Sequence, residues 1–201
     1  GRLRACAAPY HRPPREVRRR VRMGRVAIVT DSAADLPADR AGAAGITIVP
    51  LEVTFGSERL LAGVDLTVDA FWQRMVSPDS PFPTTAAASP GQFQAAFEAA
   101  FAGGADAVVC VDVAEGLSAT IKSARIARDL MADREIHVVN SRSASMGVGI
   151  LAELGARLAA EGRPAAEIAA TLHPISSRSG WTKTPKPKAL RLSSITHRKR
   201  S

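Results

Sequence analysis

Cysteine is nearly absent from this 201-residue chain, which holds only Cys6 and Cys110. Two thiols cannot build a disulfide framework or a cysteine-rich zinc site. Cys110 falls in the apolar run AVVCV and reads as a small buried hydrophobe, which fits a reducing compartment. Histidine is almost as scarce. His11 and His197 lie near the chain ends, and His137 sits in an apolar run. That scatter gives no histidine-based metal set and places no base beside a serine nucleophile. No window approaches 18 uninterrupted apolar residues, so the sequence offers no bilayer-spanning helix. Acidic residues are missing from residues 173–201, which carry eight Lys or Arg, and residues 1–25 hold one Glu against nine Arg.

What is present is an acidic middle. Residues 26–172 carry ten Lys or Arg against 18 Asp or Glu. The overall net charge of +8 therefore hides a body of net −8 between two arms of net +8 each. A nucleic-acid surface built into the fold would need the opposite sign, so such binding would have to work through the arms. With 46% apolar and 23% charged residues, the chain is neither collagen-like nor disordered as a whole.

Residues 1–25 show no apolar period. Pro9, Pro13 and Pro14 break any helix, and Arg18, Arg19 and Arg20 form a like-charge block of the kind found in solvated arms. The arm lacks the apolar core of a secretory signal, and it reads as a disordered extension ahead of Met23, the natural start. Residues 173–201 read as a disordered or non-native tail.

Between the arms, short β-rich runs alternate with helical stretches. Strands are expected at VAIVT (26–30), ITIVPLEV (46–53), AVVCV (107–111) and IHVV (136–139), with SERLLAG turning back as a hairpin. Helices are expected over 37–44, stopped by Gly45, and over 67–76, capped by Thr67. Further helices are expected from the Ser89 capping box to Phe101, over 118–132, over 144–161, and from Pro164 to Leu172. SPDSPFPTTAAAS reads as a loop. The alternation predicts an α/β domain over 26–172 with a mostly parallel sheet flanked by helices. Ligands of such sheets sit beyond the carboxyl ends of the strands, here near Thr30-Asp31-Ser32, Asp112 and Asn140-Ser141.

Four patterns could carry chemistry there. Gly147-Val148-Gly149-Ile150-Leu151-Ala152 matches a dinucleotide fingerprint but falls inside a helical stretch, where the glycines serve helix packing. Gly116-Leu117-Ser118-Ala119-Thr120 is half of a nucleophile elbow, without its second glycine. Asp31 and Asp35 follow a strand. They read as capping residues, and the competing reading is a metal-dependent phosphoryl-transfer or hydrolytic enzyme using both carboxylates. Finally, Thr84, Thr85 and Ser89 precede one helix, Ser118 precedes another, and Ser141, Ser143 and Ser145 flank a third. These hydroxyls either cap three separate helices or face one crevice as an anion site.

Five stretches in order, VAIVTDSAADLP, IVPLEVTFG followed by GVDLT, PTTAAASPGQF, EGLSATIKSA and NSRSASMGVG, resemble the motifs of the DegV family. The resemblance implies a carrier that binds a long-chain fatty acid such as palmitate and presents it to a separate fatty-acid kinase. It implies a cytoplasmic protein with no catalysis of its own, no cofactor, no metal and no membrane span. The family's carboxylate-binding threonine falls on Thr85 and its serine on Ser118. Thr84, Ser89, Asp31 and Ser32 are expected in support. Departures are Ala86, Ala87 and Ala88 after the threonine, Ala119 after the serine, and Asn140 in place of an aspartate. The motifs span about the first half of a family member, so the resemblance implies a truncated form without the second domain.

Overall fold

The computed structural model describes residues 24–178. Residues 1–23 and 179–201, which hold most of both basic arms, lie outside the described residues, and so do the expectations placed on them. The four apolar runs form the strands β1 (Val26–Asp31), β2 (Ile46–Val49), β6 (Ala107–Asp112) and β7 (Glu135–Asn140). They make one parallel sheet in the order β2-β1-β6-β7. Side-chain alternation along each strand feeds two cores. Ile28 and Val109 face α1 (Ala38–Ala44), α5 (Met146–Ala160) and α6 (Ala165–Arg178). Val29, Val108 and Cys110 face α3 (Pro90–Ala102) and α4 (Thr120–Leu130). Buried residues dominate β6, as expected of a central parallel strand covered on both faces.

The expected strand over 46–53 is in fact two, and the reason is Pro50. It has no N–H to donate to a ladder, and the next N–H, of Leu51, leaves the sheet to reach Ser32 Oγ at 2.9 Å. The chain then enters a second, antiparallel sheet. Its strands are β3 (Glu52–Phe55), β4 (Glu58–Leu61) and β5 (Thr84–Ala86), in the order β4-β3-β5. The SERLLAG hairpin is present as β3-β4. β5 replaces the expected loop at 84–86 because it pairs with β3, a contact far apart in sequence that local propensity does not report. α2 (Val68–Val76), capped by Thr67 Oγ1 accepting from Ala70 N, packs Phe71 on Phe55 with ring centroids 6.0 Å apart.

Gly147 and Gly149 of the fingerprint lie inside α5 as expected, and Gly149 is a packing residue. A Cβ on Gly149 would lie 3.0 Å from the carbonyl oxygen of Ala34, and one on Gly155 would lie 3.4 Å from Ile28 Cδ1 and Leu172 Cδ1. Gly149→Val should therefore push α5 off the end of β1 and destabilise the fold by about 1–3 kcal/mol, as overpacking does. Urea unfolding at the parent's stability would reject this packing role. At the other end, α6 runs to Arg178, six residues past its expected stop at Leu172. Pro174 costs the helix one hydrogen bond without ending it.

Candidate functional site

All four strands of the large sheet run the same way, so their carboxyl ends form one edge. Along it lie Pro50-Leu51 after β2, Ser32 after β1, Val113 to Ser118 after β6, and Ser141 to Ser145 after β7. Hydrogen bonds tie these segments together. Ser32 Oγ accepts from Leu51 N, and Gln92 Nε2 donates to Pro50 O at 3.2 Å. Ala114 N donates to Ser143 O at 2.8 Å. Asn140 Oδ1 accepts from both Glu115 N at 3.3 Å and Arg142 N at 3.0 Å, so the amide at this position still organises both loops. Among the described residues, the non-glycine positions with left-handed backbone are Asp35, Arg142 and Ser145, with φ of 47°, 51° and 55°. All three lie at this edge, and such strain concentrates at functional sites.

The expected site residues fall as follows. Thr85 lies on β5 opposite Val53 and is exposed, with Thr84 beside it opposite Thr54. From Ala86, opposite Glu52, the chain runs directly into α3, where Ser89 and Gln92 form the expected capping box. Ser118 is partly buried and stands two residues before α4, which begins at Thr120 and not at Ser118. The cap position itself is Ala119, which has no side-chain bond to give. Ser118 Oγ lies 2.8 Å from Thr120 Oγ1 and accepts from Thr120 N at 3.2 Å. α3 and α4 pack side by side on the same face of the sheet. Thr85 thus stands in the small antiparallel sheet ahead of α3, and Ser118 in the loop ahead of α4.

Three supporting residues are engaged with backbone. Ser89 caps α3, and Ser32 anchors the β2-β3 junction. Asp31 accepts from Ala33 N through Oδ1 at 2.8 Å and from Val113 N through Oδ2 at 2.9 Å. It caps the 3-10 turn Ser32–Ala34 and staples β1 to the loop after β6. The capping reading of Asp31 is therefore correct. The enzyme alternative would have to share both of its oxygens with these N–H donors. Asp35 is exposed and ends that turn. No group of three or more His, Cys, Asp or Glu fit to hold a metal occurs among the described residues.

Sequence reading marked Asp112 only as a polar strand end. In the structure it is fully buried, with Cys110 Sγ 3.4 Å from Oδ1 and 3.5 Å from Oδ2. Burial pushes its carboxyl well above the usual range; Asp31 adds to that, while the Cys110 contact and Arg125 oppose it. Burial also raises Asp31, against the pull of its two backbone donors. Burial, with Asp112 nearby, raises the Cys110 thiol as well, which leaves it an unreactive neutral group. The signal available in sequence was two strands ending in aspartate; their adjacency was not.

The DegV family, described as uncharacterised proteins, matches residues 25–185. A DegV domain-containing protein from Caldanaerobacter subterraneus is 35% identical over 151 residues, covering 75% of this chain and 53% of that protein. A DegV family protein from Thermus thermophilus, described by its fatty-acid binding, superposes with a TM-score of 0.69 at 31% identity, over 76% of this chain and 54% of that one. A stearic-acid-binding protein from Eubacterium ventriosum superposes with a TM-score of 0.64 at 30% identity, over 72% of this chain and 51% of that one. The chain spans about half the length of these relatives. No helix among the described residues is long and apolar enough to cross a membrane. Because the family match extends over well more than half of the sequence, the chain belongs to the DegV family.

Proposed function

We propose that this chain binds a long-chain fatty acid, palmitate or a close relative, and holds its carboxylate with Thr85 and Ser118. In this reading it presents the carboxylate to a partner fatty-acid kinase in the cytoplasm, where a kinase finds its nucleoside triphosphate, and does no chemistry itself. One observation carries the reading: two solved relatives described as binding fatty acid share the fold of this region. Ser118 supports it, since it stands in the loop after β6 at the carboxyl edge where α/β sheets receive ligands.

The chemistry divides between head and tail. A carboxylate gains about 1.5–3 kcal/mol from each charge-assisted hydrogen bond. When Thr120 Oγ1 donates to Ser118 Oγ, the serine proton is left for a ligand oxygen. Roughly fifteen tail carbons at about 0.8 kcal/mol each give about 12 kcal/mol before association costs. The tail therefore sets affinity, and the hydroxyls set which end faces the kinase. Thr84, Ser89, Asp31 and Ser32 act in support, the last three by holding the backbone that carries Thr85 and Ser118.

Ser118→Ala should weaken palmitate binding about tenfold, the equivalent of one charge-assisted bond. It should weaken hexadecanol binding much less. Calorimetric titration of both ligands reads the difference, and equal losses for acid and alcohol would count against a carboxylate role.

A further inference from the structure

We propose that Asp31 and Asp112 carry a single proton between them, and that this proton keeps the carboxyl edge of the large sheet in shape, the edge loosening when it is lost. The strand register sets the pair. Thr30 lies opposite Val111, so the next residues, Asp31 and Asp112, stand one strand spacing apart, about 4.8 Å. Alternation sends both side chains to the face that carries Val29 and Cys110, under α3 and α4. Both residues are 0% exposed.

Two carboxylates so close and so dry cannot both ionise. Their partners decide which one does. Asp31 accepts from two backbone N–H groups, which favours its anion. Among the described residues, the Asp112 carboxyl meets the thiol of Cys110, a weak donor, which favours the neutral acid. The other charged groups around the pair do not change this order. From the turn after β1, Asp35 adds a further negative charge beside Asp31. From α4, Arg125 acts on Asp112, but its guanidinium already binds Glu115 at 2.8 Å. The single charged side chain of α3, Glu98, lies beside Arg134 and Met131 near the helix end. β7 contributes neutral Asn140, opposite Asp112.

The two N–H donors to Asp31 link the proton to the edge. Ala33 belongs to the turn that begins with Ser32, and Val113 opens the loop that leads to Ser118. A second negative charge on Asp112 would repel the Asp31 carboxylate and strain both bonds. The sign of the pH effect follows from the upward shifts of both carboxyls. A carboxyl raised by folding contributes stability that is present at low pH and lost as pH rises through its folded value.

The test uses the full chain with aspartate carboxyls labelled with carbon-13, titrated from acid to alkaline pH, and amide exchange at Ala33 and Val113 followed over the same range. One carboxyl of the pair should titrate far above the ordinary carboxylate range. Through that same step both amides should lose at least tenfold protection beyond the intrinsic pH effect. In Asp112→Asn the high step should vanish and protection at the two amides should stay flat. Two carboxyls titrating in the ordinary range would overturn the proposal. So would a high step with no change in protection, or an Asp112→Asn chain that loosens like its parent. Should that variant not fold, the parent titration and exchange decide alone. No ligand enters this experiment, so its outcome is independent of the fatty-acid reading.

Discussion

Asp31→Ala is expected to destabilise the fold by about 2–4 kcal/mol, because it strips two N–H groups of their acceptor. Val113 N is buried and Ala33 N partly so, and both lose the oxygen that accepts from them. Each orphaned donor costs about 1–3 kcal/mol, and relief of the repulsion between Asp31 and Asp112 returns part of that. Asp31→Asn should fall between the parent and the alanine variant, since the amide keeps one acceptor and turns a second donor toward an N–H. Chemical unfolding at neutral pH measures the series. An alanine variant within about 0.5 kcal/mol of the parent, the range of an ordinary surface change, would show that Asp31 does not staple β1 to the loop after β6.

The largest loss from a single apolar truncation is expected at Phe97. Phe93 and Phe97 are fully buried in the layer that joins α3 to the sheet, with ring centroids 6.0 Å apart. Removing either ring leaves a cavity that the rigid strands β1 and β6 cannot close, so Phe97→Ala should cost about 3–5 kcal/mol. α3 also positions the segment carrying Thr85, so ligand affinity should fall as this layer loosens. Phe82, 83% exposed, provides the control: Phe82→Ala should change stability by less than about 0.5 kcal/mol. Similar unfolding midpoints for the two variants would mean that the α3 layer is not the core its burial describes.

Much of the architecture is legible in the sequence. The four apolar runs, the Ser89 capping box, the Thr67 cap and the alternation of strand and helix each depend on neighbours within a few residues, where periodicity and caps report directly. The dinucleotide fingerprint was also resolved in sequence, because Gly147 and Gly149 stand several residues past their strand. Features that depend on distant pairing were missed. β5 is a strand because β3 lies beside it, and the run 46–53 divides because Leu51 N finds Ser32 rather than a neighbouring strand. The start of α4 moved from Ser118 to Thr120 because the serine hydroxyl bonds to Thr120 instead of capping the helix from the cap position.

For the site, sequence named residue types, and the fold decided their employment. Thr85 and Ser118 were marked by motif; the pairing of β5 with β3 holds the first, and the loop after β6 carries the second. Ser32, Ser89 and Asp31 were marked with them, yet each is bound to backbone. The sequence alone determined an acidic α/β body, the helix caps at Thr67 and Ser89 and the family to which it belongs. These are local or compositional properties, and covalent order carries them. Only the tertiary structure decided that Asp31 and Asp112 sit side by side, buried from solvent. They are 81 residues apart along the chain, and their proximity exists only once β1 and β6 pair in register.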